Sequence, residues 1–100
     1  MKYKHYDVEY VDPSTLTVPP THANTHSHRQ IAKLKKSIET NGCLSVLVAD
    51  KHNVVYAGAA RLEALKQLGC QKVPVIRPEG LSEAQLRAFA LADNRIAQDS

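Results

Sequence analysis

The hydrophobic and polar positions alternate with a period of two at the start of the chain and lose that period soon afterwards. Apolar side chains at Tyr6, Val8 and Tyr10 are separated by acidic residues, which is typical of a half-buried strand. We expect the strand to stop at the Asp-Pro pair that follows. Residues 13–26 are rich in Pro, Thr and His and have no apolar period. They predict a loop that is long enough to be functional or partly disordered.

A capping box, Ser27 to Gln30, predicts the start of the first helix. In this motif the serine hydroxyl bonds the backbone N–H of the glutamine, and the glutamine side chain reaches back. The Asn41-Gly42 pair predicts the end of the helix. Three residues at helical spacing form its predicted buried stripe, namely Ile31, Leu34 and Ile38.

The middle of the chain predicts a hairpin followed directly by a second helix. The short apolar run Leu44–Ala49 indicates a buried strand, 50–53 a turn, and 54–56 the partner strand. The helix begins after Gly58 and ends at Gly69. Its predicted buried residues are Leu62, Leu65 and Leu68.

The last third of the chain predicts one more strand and one more helix. The strand is Val73–Ile76, and its proline indicates either an edge strand or the start of a strand. A second capping box, Ser82 to Gln85, opens a helix that runs to the end of the chain. The element order is strand, helix, strand, strand, helix, strand, helix. It predicts an α+β or α/β domain with a small mixed sheet.

Composition narrows the classes of protein. One hundred residues with 43% hydrophobic content predict a single domain over 1–100. The chain has no run long enough for a membrane span and no apolar core of a signal peptide, so we expect a cytoplasmic protein. Cys43 and Cys70 are expected to be free thiols in or near the core. A net charge of +3 and a pI near 9.0 permit a nucleic-acid partner without requiring one.

The strand-glycine-helix passage at Gly58 is the first candidate site. The first N–H groups of a helix have no intrahelical partner, and glycine lets a ligand approach the backbone closely. Such a terminus carries the positive end of the helix dipole and favours anions. The positive charge of Arg61 in the first turn is therefore unfavourable unless an anion neutralises both the arginine and the helix terminus. Alternatively, Arg61 points to solvent or pairs with Glu63 or another carboxylate.

The last helix and the histidine-rich loop are further candidates. Asp93 falls within an apolar stripe of the predicted helix, with Asn94 beside it. A buried carboxylate there needs either backbone donors and a cation, or a ligand at a cleft. His22, His26 and His28 have no fourth ligand at a recognisable spacing. We therefore predict no metal site, although the loop could close over a phosphate.

One long run of the chain resembles the ParB/sulfiredoxin superfamily: QIAKLKKSIETNGCLSVLVADKHNVVYAGAARLEALKQLGCQKVPV, residues 30–75. The superfamily pattern is a helix ending in Asn-Gly, a strand, a hairpin, a Gly-x-x-Arg helix and Val-Pro-Val. The tail LSEAQLRAFALADNRIAQDS is similar to ParB-like N-terminal domains that precede DNA-modification methyltransferases in phage and bacterial proteins. The resemblance covers residues 5–100. It implies a ParB/sulfiredoxin-like α+β fold with about four strands and three helices.

The resemblance also implies a pocket for nucleotide or phosphate. Gly58 and Arg61, with Ala59 and Ala60 between them, match the family's Gly-x-x-Arg phosphate motif. Asp93 and Asn94 match an acidic residue and asparagine that help to hold the nucleotide and its cation, and His26 lies in the loop that could close over it. A nucleoside triphosphate with Mg is the implied ligand.

Two functions follow, from different classes. The first is a nucleotide- or DNA-binding module associated with DNA modification, partition or transcription regulation. We expect this module to be the N-terminal part of a longer protein and to be able to form a homodimer. The second is a nucleotide-dependent phosphotransferase or nuclease acting through Arg61 and Asp93. Sulfiredoxin chemistry is excluded, because Ala59 and Ala60 stand where sulfiredoxins have their catalytic cysteine. We favour binding over catalysis.

Overall fold

The computed structural model describes residues 4–19 and 27–99, with side chains described as far as Asp93 in the last helix. Within these ranges the chain forms four strands, a short 3-10 helix and three α-helices. In chain order they are β1 (Val8–Val11), the 3-10 helix (Pro13–Thr15), α1 (His28–Asn41), β2 (Leu47–Ala49), β3 (Val55–Ala57), α2 (Ala59–Gln67), β4 (Val73–Ile76) and α3 (Glu83–Asp99). This confirms the predicted α+β fold.

The four strands form one mixed sheet in the order β1-β4-β2-β3. β1 pairs with β4 and β2 with β3 in antiparallel fashion, while β2 and β4 are parallel. The hairpin turn between β2 and β3 is stabilised by Asp50, whose Oδ1 accepts hydrogen bonds from the N–H groups of His52 (2.8 Å) and Val54 (2.9 Å). Asn53 has a positive φ of 65° there, which asparagine tolerates better than most residues. The predicted hairpin is confirmed.

One face of the sheet carries the main hydrophobic core, under α1 and α2. Its buried members are Leu16, Leu47, Ala49, Val55, Leu62, Leu65, Val73 and Val75. Fully burying each Val or Leu side chain contributes about 1.5–3 kcal/mol. Ile38 of α1 packs against this cluster, and Leu68 is half-buried at the end of α2. The predicted stripes of both helices are therefore largely confirmed.

Helix α3 covers only part of the other face. It packs against β3, where Tyr56 and Leu86 are buried. Burial, with smaller contributions from the carboxylates of Asp50 and Glu83, raises the pKa of Tyr56 above its usual range. β1 lies at the opposite edge of the sheet, and its Tyr10 is 67% exposed.

The predicted strand at β1 is confirmed, but its predicted buried face is wrong. Val8 and Tyr10 are paired with Ile76 and Pro74 of β4, and paired residues share a face of the sheet. This is the face of the sheet on which α3 packs, but α3 covers it only at the β3 edge and leaves it open at the β1 edge. Val11, on the other face, packs against the core instead.

The first part of the predicted loop over 13–26 contains a short 3-10 helix. The 3-10 helix starts at Pro13, and Asp12 caps it by accepting bonds from the N–H (2.9 Å) and hydroxyl (2.8 Å) of Ser14. The next residue after this helix, Leu16, is buried in the core. Thr17 then pairs with the chain beside β3, accepting a hydrogen bond from the N–H of Val55 (2.9 Å). Residues 20–26 lie outside the described residues.

Three smaller predictions at the strand ends need correction. β2 begins only at Leu47, and Leu44 is 82% exposed. Cys43 is exposed as well, whereas Cys70 is half-buried and packs against the core as predicted. Of the two alternatives for the proline, the edge strand is wrong, because β4 is central in the sheet, and the start of a strand is confirmed. Pro74 is tolerated as its second residue because the parallel pairing with β2 begins only at Val75.

Candidate functional site

The passage from β3 into α2 requires a glycine. Gly58 is the N-cap of α2 and has φ 93° and ψ 21°, in the left-handed region. A Cβ at this position would lie 3.5 Å from the Cα of Leu47 and would collide with its Cδ2. Leu47 is fully buried, so it has little room to move. The backbone at Gly58 is therefore both unusual in conformation and closely packed on its inner side.

Helix α2 begins without the caps that the other two helices have. Ser27 accepts a hydrogen bond from the N–H of Gln30 (3.1 Å) at the start of α1. Ser82 and Gln85 form both bonds of the predicted capping box at the start of α3. At α2 no side chain caps the helix, and the first intrahelical bond is donated by Leu62, to the carbonyl of Gly58 (2.8 Å).

The start of α2 therefore presents free donors. Among the described residues, the N–H groups of Ala59, Ala60 and Arg61 have no hydrogen-bond acceptor. These groups carry the positive end of the helix dipole. An anion could accept hydrogen bonds from them, as happens at many phosphate sites.

Arg61 adds a positive charge at this terminus. Its guanidinium forms no ion pair or hydrogen bond with any side chain in the described parts of the chain. The alternative pairing with Glu63 does not occur, because residues two apart on a helix do not face each other; Glu63 instead accepts a hydrogen bond from the side chain of Gln67 (3.0 Å). An unpaired cation in the first turn of a helix is unfavourable by about 0.3–1 kcal/mol. A bound anion would remove this penalty.

The structure places Asp93 differently from what we expected. The residue is exposed, as are Phe89 (42%) and Leu91 (73%) in the same part of α3. The expectation of a buried stripe around Asp93 is therefore wrong, because the buried contact of this helix with the sheet is at Leu86. Arg61 and Asp93 form no ion pair with each other.

Two further predicted residues cannot be placed against the site. The side chain of Asn94 and the whole of His26 lie outside the described residues, as does His22. That Asp93, Asn94 and His26 belong to the site stays a prediction. Gly58, Ala59, Ala60 and Arg61 lie together at the start of α2.

Arg77 is an important residue that the sequence analysis missed. It follows β4, and its Nε donates to Oε2 of Glu9 (3.1 Å), while its Nη1 donates to the carbonyl of Asp50 (2.6 Å). It thus ties β1 to the end of β2. The parallel pairing of β2 and β4 brings their carboxyl ends together. An arginine directly after one of two such strands was therefore the sequence signal for a contact between the strand ends. Both contacts are internal, which indicates a structural role.

A metal site and a membrane span are both absent from the described part of the chain. There, no group of three or more His, Cys, Asp or Glu side chains is arranged to hold a metal ion. No helix in that part is both long and apolar enough to cross a membrane.

Comparison with known proteins identifies the family. The family model of the ParB N-terminal domain matches residues 2–95. The chain belongs to the ParB N-terminal domain family. It is also similar to the ParB-like nuclease domain-containing protein YnaK of Escherichia coli strain K12, with 36% identity over 63 residues, which are 63% of this chain and 72% of YnaK.

Solved structures show the same fold. The C-terminally truncated chromosome-partitioning protein ParB from Caulobacter crescentus, complexed with CTP-gamma-S, matches with a TM-score of 0.78 at 19% identity, over 88% of this ParB-like chain and 52% of that one. Sulfiredoxin from Arabidopsis thaliana matches with a TM-score of 0.68 at 17% identity, over 85% of this chain and 97% of that one. The ParB-like domain thus spans about half of the Caulobacter chain, and these identities establish the fold only.

Proposed function

We propose that this ParB-like domain binds a nucleoside triphosphate and holds its phosphates at the start of α2. The N–H groups of Ala59, Ala60 and Arg61 donate hydrogen bonds to phosphate oxygens, and the guanidinium of Arg61 neutralises their charge. Gly58 contributes through its backbone, because its left-handed conformation sets the direction in which α2 begins. The observation that carries the proposal is the group of free N–H donors beside an unpaired arginine.

Cytidine triphosphate is the first ligand to test, because the Caulobacter crescentus neighbour is a complex with CTP-gamma-S. Any magnesium would arrive with the triphosphate and keep most of its water ligands, since the described residues offer no cluster that could hold a metal alone. We retain Asp93 and Asn94 as proposed contacts to the nucleotide and its cation, and His26 as a proposed contact from the loop. The exposed position of Asp93 leaves its carboxylate free to make such a contact.

We also propose that the domain works together with DNA, either directly or through another domain. The resemblance of the tail, residues 81–100, to domains preceding DNA-modification methyltransferases supports a role in DNA modification. The partition protein among the structural neighbours supports a role in partition.

The experiment is a calorimetric titration of the domain with the four ribonucleoside triphosphates in the presence of magnesium. Removing the guanidinium in Arg61→Ala is expected to weaken binding of the preferred triphosphate about 10- to 100-fold, because a charged hydrogen bond contributes about 1.5–3 kcal/mol. The matched control is Arg87→Ala, which removes an exposed arginine paired with Glu83 on α3. It should bind like the unchanged chain.

Two ligands separate phosphate recognition from base recognition. Inorganic triphosphate should compete for the site, and cytidine without phosphate should not. Equal affinity of the Arg61→Ala and Arg87→Ala variants, or no binding of any triphosphate, would refute the proposed site.

A nuclease is the second candidate function, because the relative YnaK is described as containing a ParB-like nuclease domain. The test is incubation of the domain with single-stranded and duplex DNA in magnesium. Cleavage that is lost in both Arg61→Ala and Asp93→Ala would support catalysis at this site. Cleavage that is unchanged in these variants would exclude the site as its source.

A further inference from the structure

The charge imbalance of this chain is concentrated in one helix. α1 contains four of the 13 Lys and Arg residues and one of the 10 Asp and Glu residues. Its formal net charge is therefore +3, the same as that of the whole chain. The remainder of the chain has equal numbers of basic and acidic residues. The modest net charge of the protein is thus a local property of α1.

Three of these cations form a stripe on the outer face of α1. Arg29, Lys33 and Lys36 are spaced four and three residues apart, so they lie on one side of the helix. This side is opposite Ile31, which is buried, and Ile38, which packs against the core. Arg29, Lys33 and Lys36 are all exposed. We call them the α1 basic stripe.

In the described parts of the chain the α1 basic stripe forms no ion pair, and the one acidic residue of the helix is Glu39, three residues after Lys36. None of the three side chains of the stripe forms an ion pair or hydrogen bond with another residue in the described parts of the chain. The first and last of them are about 10 Å apart along the helix, at about 1.5 Å per residue. Neighbouring members of the stripe are closer, at about 5–6 Å between Cβ atoms, which is within the Debye length of about 8 Å at physiological salt, so the fields of neighbours overlap. Like charges at this spacing destabilise a helix, and a polyanion would relieve the repulsion.

We propose that the α1 basic stripe is a docking surface for the phosphate backbone of duplex DNA. A rigid row of cations on an exposed helix matches a row of phosphates, and contacts of this kind position a protein without reading sequence. Lysine and arginine are the side chains that make most such contacts. The proposal concerns a surface distinct from the start of α2, and it does not depend on nucleotide binding there.

The surroundings of the stripe favour a nucleic acid over an anionic membrane. A helix that lies on a membrane inserts an apolar face between the headgroups. The apolar residues of α1, including Ile31 and Ile38, are used instead in packing on the domain. Ile31 is buried and Leu34 and Ile38 are half-buried, so the exposed side of the helix offers mainly charge.

The test measures binding of the domain to a fluorescently labelled 30-base-pair duplex of random sequence by anisotropy, over a series of salt concentrations. Three phosphate contacts predict a slope of log affinity against log salt of about −2.7, that is, an affinity loss of about 40-fold between 50 and 200 mM salt. The triple variant Arg29→Gln, Lys33→Gln, Lys36→Gln should bind about tenfold or more weakly at low salt. Its slope should become less steep by about one for each cation that no longer meets a phosphate.

The matched control removes three positive charges from outside α1. Lys51, Lys66 and Lys72 are exposed and lie outside α1, and their joint replacement by Gln should change DNA affinity much less. Glutamine is a good helix former, and circular dichroism verifies that both triple variants are folded. If the stripe variant is not folded, the single variant Lys33→Gln is compared with Lys66→Gln, and the salt slope should still fall by about one.

The outcomes decide the proposal. Equal weakening by the two triple variants would show that only net charge matters, and it would overturn the proposal. Absence of DNA binding at low salt would also overturn it, as would equal or tighter binding of the stripe to vesicles containing anionic lipid. The stripe variant should keep its affinity for triphosphate, which is measured with the same calorimetric titration. A failure of one proposal is therefore distinguishable from a failure of the other.

Discussion

Replacing Gly58 by alanine is the substitution that bears most on the start of α2. The residue has φ 93°, and an added Cβ would collide with Cδ2 of Leu47. Two penalties therefore combine. The left-handed conformation is unfavourable for any residue with a Cβ, and the closely packed side chain of Leu47 must shift within the core.

The size of the effect can be worked out from these two penalties. A left-handed conformation at a residue with a Cβ costs about 1–2 kcal/mol. Overpacking in a well-packed core costs about 1–3 kcal/mol more, and Leu47 is fully buried. We expect Gly58→Ala to lower the free energy of unfolding by about 2–5 kcal/mol, a large share of the roughly 5–15 kcal/mol that is usual for a domain.

The assay is urea denaturation followed by circular dichroism, with Gly69→Ala as the matched control. Gly69 also has a positive φ, 76°, but an added Cβ there would meet nothing within 4 Å. It should therefore show the conformational penalty alone, about 1–2 kcal/mol. If the two variants lose the same stability, the close approach of Gly58 to Leu47 is not a constraint, and the steric reason for a glycine at this position is wrong.

Three further predictions concern the scaffold, each tested by denaturation. Arg77→Gln should lower the free energy of unfolding by about 1–2 kcal/mol through lost hydrogen bonds. Glu9→Gln should lower it less, because the bond from Arg77 to the backbone carbonyl of Asp50 stays intact. Equal losses of stability in the two variants would contradict this. Leu16→Ala should lower the free energy of unfolding by about 2–5 kcal/mol. Leu44→Ala, at an 82% exposed site, should leave the free energy of unfolding almost unchanged. Similar losses of stability in the two variants would show that Leu16 is not part of the core. The hydrogen bonds from the backbone N–H and hydroxyl of Ser14 lower the pKa of the Asp12 carboxyl below its usual range. The stabilisation from this cap is therefore present above the usual carboxyl pKa and disappears as the pH falls through the folded pKa. The stability difference from Asp12→Asn should therefore be larger at pH 6 than at pH 2, and a difference independent of pH would refute the charge-based cap.

The elements that the sequence predicted correctly are those whose signals are local. Helical spacing together with capping residues located α1 and α3, and the turn at residues 50–53 located the hairpin. The glycine before α2 and the arginine in its first turn were found for the same reason. Gly58 and Arg61 lie within one turn of each other, so the helix start itself brings them together.

The errors concern what each element packs against. Alternation at Val8 and Tyr10 predicted a two-faced strand, but it did not show that α3 leaves this edge of the sheet open. The apolar stripe around Asp93 likewise identified one side of a helix, although nothing in the described residues covers it at that point. Leu16 is a single apolar residue among polar ones, and no periodic pattern can reveal a core residue of that kind.

Phosphate binding by the free N–H groups at the start of α2 is the central claim. The most direct test is a titration of the ¹⁵N-labelled domain with cytidine triphosphate and magnesium, followed by amide chemical shifts. We predict saturable shifts at the amides of Ala59, Ala60 and Arg61, larger than those at the capped amides of Gln30 and Gln85. Saturable binding that leaves the three α2 amides unchanged would contradict the claim.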